Sequence, residues 1–461
     1  MNETNLKERT LSIFDEALRA VDAGAAVRRV VEMSDPARLT AGGEVFDLTK
    51  DVARVYAVAL GKAAYPMALA LDRILGAALR GGVISGVLPA KNLAGGRAGF
   101  ENKKLSGRWQ VFAGGHPLPD EESLRAARRA ADLLRAADDE RALIFFLVSG
   151  GGSAMIDAPV DESIRLADLR ETNRLLVGCG ASIREINVLR RAVSRIKGGG
   201  LARLAPAARQ ITLIVSDTEN GDEASVASGP TIEAPPADRR EIAAIIDRYR
   251  LRTHLPAPIL RALLADRQEN KQSAPETARG RRHHVLLDNR TAVAAAAAAA
   301  ERCGFVVETD DRIGDQPVEE GCRELLRRAN AMRARAGAGK IVCSLSGGEF
   351  SCPVLGDGVG GRNAETALRM ALLIDAAGGE GAAKTVFLSA GTDGIDGNSP
   401  AAGAVADEMT IGRARALRLD ARRHLATSDA YSFFRALGDA VVTGPTGTNV
   451  RDLRIMLARA D

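Results

Sequence analysis

The chain is poor in aromatic residues. Of its 461 residues 3% are Phe, Tyr or Trp, with a single Trp, too few for the stacking platforms on which single-stranded nucleic acid is read. Cysteine is scarce as well. Cys179, Cys303, Cys322, Cys343 and Cys352 are odd in number and show no C-x-x-C spacing, which argues against a disulfide framework or a cysteine zinc site. There is no apolar run of about 18 residues that could cross a membrane; the alanines at 294–300 sit between Thr291 and Glu301 as part of a helix. The opening MNETNLKERTLSIF lacks the charged-then-apolar order of a secretory signal, so a cytoplasmic protein is expected. Charge of one sign is missing too. A net +4 stands against 63 basic and 59 acidic side chains, which gives no reason to expect nucleic acid or a membrane surface as partner. Lysine is rare, ten against 53 arginines. A lysine inside a glycine-flanked turn therefore stands out, and two do: Lys62 in LGKAA and Lys197 in RIKGGGLA.

What is present is an ordinary folded composition, 46% apolar and 26% charged, long enough for two or three domains. Strand and helix patterns alternate. Residues 6–35 have helical spacing with a break near Asp22 and Gly24, and VARVYAVAL at 52–60 reads as a buried strand running through Gly61 and Lys62 into a helix at 63–75. Such a turn lies at the carboxyl edge of an open parallel sheet, where ligands bind. Further strands are expected at 82–89 and 109–113, and Asp120 or Glu121 caps a helix from Ser123. His116, in the loop before that helix, is a candidate substrate ligand or a loop anchor.

ALIFFLV at 142–148 is the most apolar strand and empties into Ser149, Gly150, Gly151, Gly152 and Ser153. A strand apolar on both faces belongs in a sheet covered by helices on both sides. The loop after it offers backbone N–H groups and hydroxyls, yet matches neither a P-loop nor a nucleophile elbow. A helix from Ser182 carries its apolar stripe to Ile196, with Arg190 and Lys197 off the stripe. The strand at 210–215 leads into SDTENGDE, a loop of four acids suited to a metal or a general base. Strands at 285–287, 304–309, 340–345 and 385–389 alternate with helices at 291–303 and 318–336. The polar run 265–284 and the small residues Thr446–Asn449 read as a connection and a surface turn.

CSLSGGEFSCPVLGDGVGGRNAETALRM at 343–370 is the stretch around which the rest is arranged. A strand delivers the chain to a glycine-rich loop that opens a helix, and a helix N-terminus favours an anion. Gly356, Gly358 and Gly361 also fit G-x-G-x-x-G. The acidic residue that a dinucleotide fold needs roughly 20 positions on is instead Asp393, 32 positions past Gly361, which favours a phosphate loop over a nicotinamide site.

Taken together, LGKAA (60–64), GGHPLPDEES (114–123), VSGGGSA (148–154), IKGGGLA (196–202), SDTENGDEASVASGPT (216–231), SGGE (346–349), GGRNAE (360–365) and SAGTDGIDG (389–397) resemble the class II glycerate 2-kinases, whose members often carry the name hydroxypyruvate reductase. The resemblance runs from about residue 10 to 455. It implies a two-domain α/β protein, a Rossmann-like N-terminal domain with a largely parallel sheet (1–245) and an α/β domain of the MOFRL type (246–461). It further implies ATP, a divalent metal such as Mg²⁺, and transfer of the γ-phosphoryl group to the 2-hydroxyl of (R)-glycerate in an interdomain cleft. The family's lysine, aspartate and arginine fall on Lys62, Asp217 and Arg362. Expected binding residues are Ser149, Gly150, Gly151, Gly152, Ser153, His116, Arg190, Lys197, Gly347, Gly348, Glu349, Gly360, Gly361, Asn363 and Asp393. Asp222, Asp393 and Asp396 are the metal candidates. Phosphoryl transfer needs cations, N–H donors, a metal and one carboxylate near the acceptor hydroxyl, and this set supplies them. Competing readings are an NAD(P)H-dependent hydroxypyruvate reductase and a non-catalytic binder of sugar acids or nucleotides; a homodimer is allowed.

Overall fold

Seven consecutive residues, Val55–Gly61, are buried along their whole length, and so are Leu143–Ser149, because both strands lie inside a sheet covered on two faces. The structure, a computed structural model, describes residues 6–50, 54–88, 104–219, 221–235, 238–265, 280–378 and 384–460. Among these, one unit holds residues 23–88 and 104–286, and the other residues 6–22 and 287–460. The first unit carries a small antiparallel sheet of β1 (Val31–Asp35), β2 (Arg38–Ala41) and β3 (Glu44–Asp47). Its main sheet contains β4 (Val55–Gly61), β5 (Leu79–Gly86), β6 (Trp109–Phe112), β7 (Leu143–Ser149), β8 (Arg209–Val215) and β9 (Arg281–Leu287) in the order β6-β5-β4-β7-β8-β9. The pairs from β6 to β8 are all parallel. From β4 the chain winds outward through β5 to β6, then returns to β7 on the other side of β4. The winding reverses between β4 and β7, the place in an open parallel sheet where a crevice opens at the carboxyl ends.

The second unit's sheet has the order β10-β11-β15-β12-β13-β14, formed by Val306–Asp310, Ile341–Gly348, Asp452–Arg459, Thr385–Gly391, Gly403–Asp407 and Ala440–Val441 in that spatial order. Only β10 and β11 pair in parallel; β15 runs antiparallel between β11 and β12. Side chains alternate between two cores, as strand geometry requires. Phe387 and Met456 pack on one face with Phe433 and Phe434. Leu388, Ile455 and Leu457 pack on the other with Ile13, Phe14 and Leu18 of the N-terminal helix Leu6–Ala20.

Several expectations are revised. The helical spacing over 6–35 resolves into two helices, Leu6–Ala20 and Ala23–Val30, followed by β1. The first helix joins the C-terminal unit, because its apolar face covers that unit's sheet. The expected division after residue 245 falls inside the helix Arg239–Arg248, whose Ile242, Ile245 and Ile246 pack with Leu189 and Ile259 in one core. The helix capped by Ser182 stops at Ala192, so Lys197 is not on a helix face. Thr448 and Asn449 are buried in a turn and not on the surface. The segment after them enters β15, which lies between β11 and β12 in its sheet. Asn220 and residues 89, 236, 266–279 lie outside the described residues.

Candidate active site

The turn after β4 and the loop after β7 are built against each other. Gly61 has φ +104°, and a methyl there would lie 2.3 Å from the Ser149 carbonyl oxygen, so only glycine lets the two backbones meet. Ser149 Oγ accepts from the Ala63 N–H at 2.9 Å and donates to the Leu60 carbonyl at 3.2 Å, while the Lys62 N–H donates to the Gly150 carbonyl at 2.9 Å. Ser149 thus holds the turn in shape.

Three expected residues gather on this loop. Gly151, with φ +83°, has Lys62 Cγ and His116 Cδ2 beside it, 3.3 and 3.2 Å from where a Cβ would stand. A methyl on Gly150 would lie 1.7 Å from Asp217 Oδ2. The Lys62 stem, the His116 ring and the Asp217 carboxylate therefore lie against these two adjacent glycines, at the point where the winding of the sheet reverses. Lys62 and Asp217 are half-buried and His116 is exposed. Ser153 Oγ shares a hydrogen bond of 2.9 Å with Ser228 Oγ, which donates to Asn187 Oδ1 at 2.9 Å; this ties the ASVASGP segment to the same loop.

Lys197 has a different place. It is 4% exposed and ion-paired with Asp157, which also accepts from Ser194 Oγ at 2.6 Å. Burial pushes the ammonium's pKa down while Asp157 pulls it back up, and the pair holds an internal turn together. Arg190 is half-buried and donates from Nε to Asn173 Oδ1 at 3.1 Å.

In the second unit, Arg362 opens the helix Arg362–Ala377. Its Nε donates to Asp452 Oδ2 at 2.6 Å and its Nη2 to Asp452 Oδ1 at 3.1 Å, with Glu349 Oε1 3.0 Å from Nη2. Burial alone lowers the pKa of such a guanidinium, but Asp452 and Glu349 outweigh it and the pKa rises. Asp452 is fully buried; burial raises its pKa, Arg362 and the Asn363 side chain lower it, and the net shift is downward.

The anion site expected at the start of this helix is filled from within. Asp396 accepts from the Asn363 N–H at 2.9 Å and the Ala364 N–H at 2.8 Å, so a carboxylate of the chain itself satisfies the free donors of the first turn. Burial pushes Asp396 up to about 7 although both N–H groups pull it back. Gly361 is needed because a Cβ there would stand 2.4 Å from Asp396 Oδ1. Gly356 and Gly358 let the loop lie on Thr427 and Asp429, 2.9 and 2.5 Å from a methyl, so the G-x-G-x-x-G pattern follows from packing. The Gly360 N–H donates to Asn398 Oδ1 at 2.8 Å. Gly347 makes room for Asn289, whose Oδ1 accepts from the Gly348 N–H at 3.1 Å, and Gly348, with φ +87°, lies against the Gly314 backbone. Asn363 is buried, and its Oδ1 accepts from Ser389 Oγ at 2.6 Å.

Of the metal candidates, Asp396 has both oxygens occupied by the helix start, Asp222 is exposed, and half-buried Asp393 accepts from the Ile395 N–H at 3.1 Å. Among the described residues no three His, Cys, Asp or Glu side chains come together to hold a metal ion. Asp452 and its contact with Arg362 were missed by sequence reasoning. The available signal was an acid immediately ahead of the apolar run LRIML.

Two protein families match the chain: a domain of unknown function, DUF4147, over residues 9–264, and the MOFRL family over residues 342–452. A glycerate kinase of Danio rerio is 32% identical, covering 98% of both chains. A D-glycerate 2-kinase of Thermotoga maritima is 32% identical over 88% of this chain and 90% of its own. The crystal structure of a glycerate kinase from Thermotoga maritima superposes with a TM-score of 0.76 at 28% identity, covering 98% of this chain and 99% of that one.

Proposed function

The chain belongs to the glycerate kinase family built from the DUF4147 and MOFRL domains, and from that premise we propose that it transfers the γ-phosphoryl group of ATP to the C2 hydroxyl of (R)-glycerate. The observation that carries the reading is the convergence of Lys62 and Asp217 on the Gly150–Gly151 backbone at the sheet's switch point. Phosphoryl transfer asks the protein mainly for positioning and for neutralising charge on the transferring oxygens.

Asp217 orients the glycerate hydroxyl and takes its proton as O2 bonds to the γ-phosphorus and the bond to the β-phosphate oxygen breaks. Lys62 acts as a point charge on the oxygens that become more negative in that step. Backbone N–H groups of Gly150–Ser153 and His116 contact the anionic reactants. Arg362 holds an anionic oxygen of substrate or nucleotide. Mg²⁺, when bound with ATP, would neutralise phosphate charge, and Asp222 or Asp393 would supply its protein oxygen, the rest of its shell being phosphate and water. Five free cysteines accord with a reducing, cytoplasmic setting, and among the described residues no helix is long and apolar enough to cross a membrane.

The test is the Lys62→Ala variant. It is expected to lose ~10²-fold or more in kcat while its melting curve stays close to that of the parent, as for a group that stabilises charge in the transition state. Full turnover in that variant would remove Lys62 from the reaction.

A further inference from the structure

Asp452 lies where β15 begins, and its register places it opposite Gly348 at the end of β11 and Gly391 at the end of β12. Neither neighbour has a side chain, and a methyl on Gly391 would come within 3.2 Å of Asp393 Oδ1 and 3.4 Å of Asp452 Oδ1. The carboxylate thus sits in a gap between two glycines, open to a group approaching from the start of the helix Arg362–Ala377. Arg362 fills that gap, and it does so in one fixed way. Both Asp452 oxygens engage the Nε–Nη2 edge of the guanidinium, the bidentate fork geometry that fixes a guanidinium most firmly. Glu349 lies against Nη2 as well. Nη1, with its two N–H groups, takes part in none of these contacts.

We propose that Asp452 is the positioning residue of Arg362: it occupies the Nε–Nη2 edge, so that Arg362 meets its ligand end-on, through Nη1, on a single anionic oxygen. The bidentate grip on a carboxylate or phosphate that an arginine fork can offer is already used within the protein. The surroundings support Asp452 as a rigid anchor. It is 1% exposed and hydrogen-bonded by Asn363, and its own carbonyl accepts from Asn289 Nδ2 at 3.0 Å. Two residues along β15, buried Arg454 donates from Nε to Ser346 Oγ at 3.0 Å and stacks on Phe350 at 3.8 Å. An arginine with a free side chain samples many orientations, and holding it in one before the ligand arrives is what preorganised electrostatic stabilisation requires.

This inference rests on Arg362 taking part in the kinase reaction, and the test separates the two. Steady-state kinetics with ATP, Mg²⁺ and D-glycerate are compared for the parent, Arg362→Ala, Asp452→Asn and the double variant. Asp452→Asn is expected to lower kcat by ~10-fold or more with little change in either KM, and to cost nothing further once Arg362 is alanine. An equal fold-loss from Asp452→Asn in both backgrounds, or full kcat in Asp452→Asn, overturns the proposal and leaves the kinase reading standing. Full turnover in Arg362→Ala removes both the proposal and the role of Arg362. Should Asp452→Asn fail to fold, Arg362→Lys decides: a lysine paired with Asp452 keeps the charge but has no second arm, so it is expected to be as slow as Arg362→Ala. Activity within about threefold of the parent in Arg362→Lys contradicts the end-on role.

Discussion

Asp396 shows how one residue can be chemically conspicuous and still serve the fold. In the sequence it looks like a metal ligand, an acid among glycines at a strand end. In the structure its two oxygens cap the helix that Arg362 opens. Asp396→Ala leaves two buried N–H groups without an acceptor and is expected to cost about 2–4 kcal/mol, read from denaturant unfolding. A pH effect accompanies it. The carboxyl rises from 3.8 to about 7 in the folded protein, so the folded state holds its proton more tightly between those values. The stability this group contributes is therefore full below about pH 4 and is lost as pH rises to about 7. Asp396→Asn removes the titrating group and should flatten that part of the pH–stability curve; an unchanged curve would contradict the assignment. Lys62 could be read from the sequence because lysine is rare here and glycine precedes it. Asp452 and Arg454 could not, since charged residues beside an apolar run usually mark its solvent end, and only the pairing of β15 between β11 and β12 buries them.

The elements of the first unit were the easier ones to read. Val55–Gly61 and Leu143–Ser149 are continuous apolar runs, and each is followed by a glycine turn and a helical pattern, the signature of a parallel sheet. The second unit was harder. Its last strand follows a Gly-, Thr- and Asn-rich turn that suggests a loop, and its partners β11 and β12 lie about 110 and 65 residues earlier in the sequence. The glycine loop gives the sharpest prediction at this scale. Gly150 does not have a positive φ, so alanine there meets no left-handed backbone strain, but the new methyl takes the space of the Asp217 carboxylate. Gly150→Ala is expected to keep the fold, to move Asp217, and to lower kcat by ~10²-fold. Wild-type turnover in that variant would mean that Asp217 is free to move without cost to the reaction.

Across the whole chain, the choice is among a kinase, a nicotinamide-dependent reductase and a non-catalytic binder. The reductase reading leaned on one glycine pattern, and those glycines are accounted for by packing against Thr427 and Asp429. The helix behind them presents its first-turn donors to Asp396, not to an outside phosphate. A kinase uses what the first unit displays, a lysine and a carboxylate against a glycine loop beside the sheet's switch point.

The most direct measurement is product identification: the protein is incubated with ATP, Mg²⁺ and D-glycerate, ADP is followed, and the phosphoglycerate formed is resolved by ³¹P NMR. The account predicts stoichiometric ADP and 2-phosphoglycerate, with no NADH oxidised when hydroxypyruvate is offered in place of glycerate. NADH-dependent reduction of hydroxypyruvate without any ATP-dependent product, or binding of glycerate with no ADP released, would contradict it.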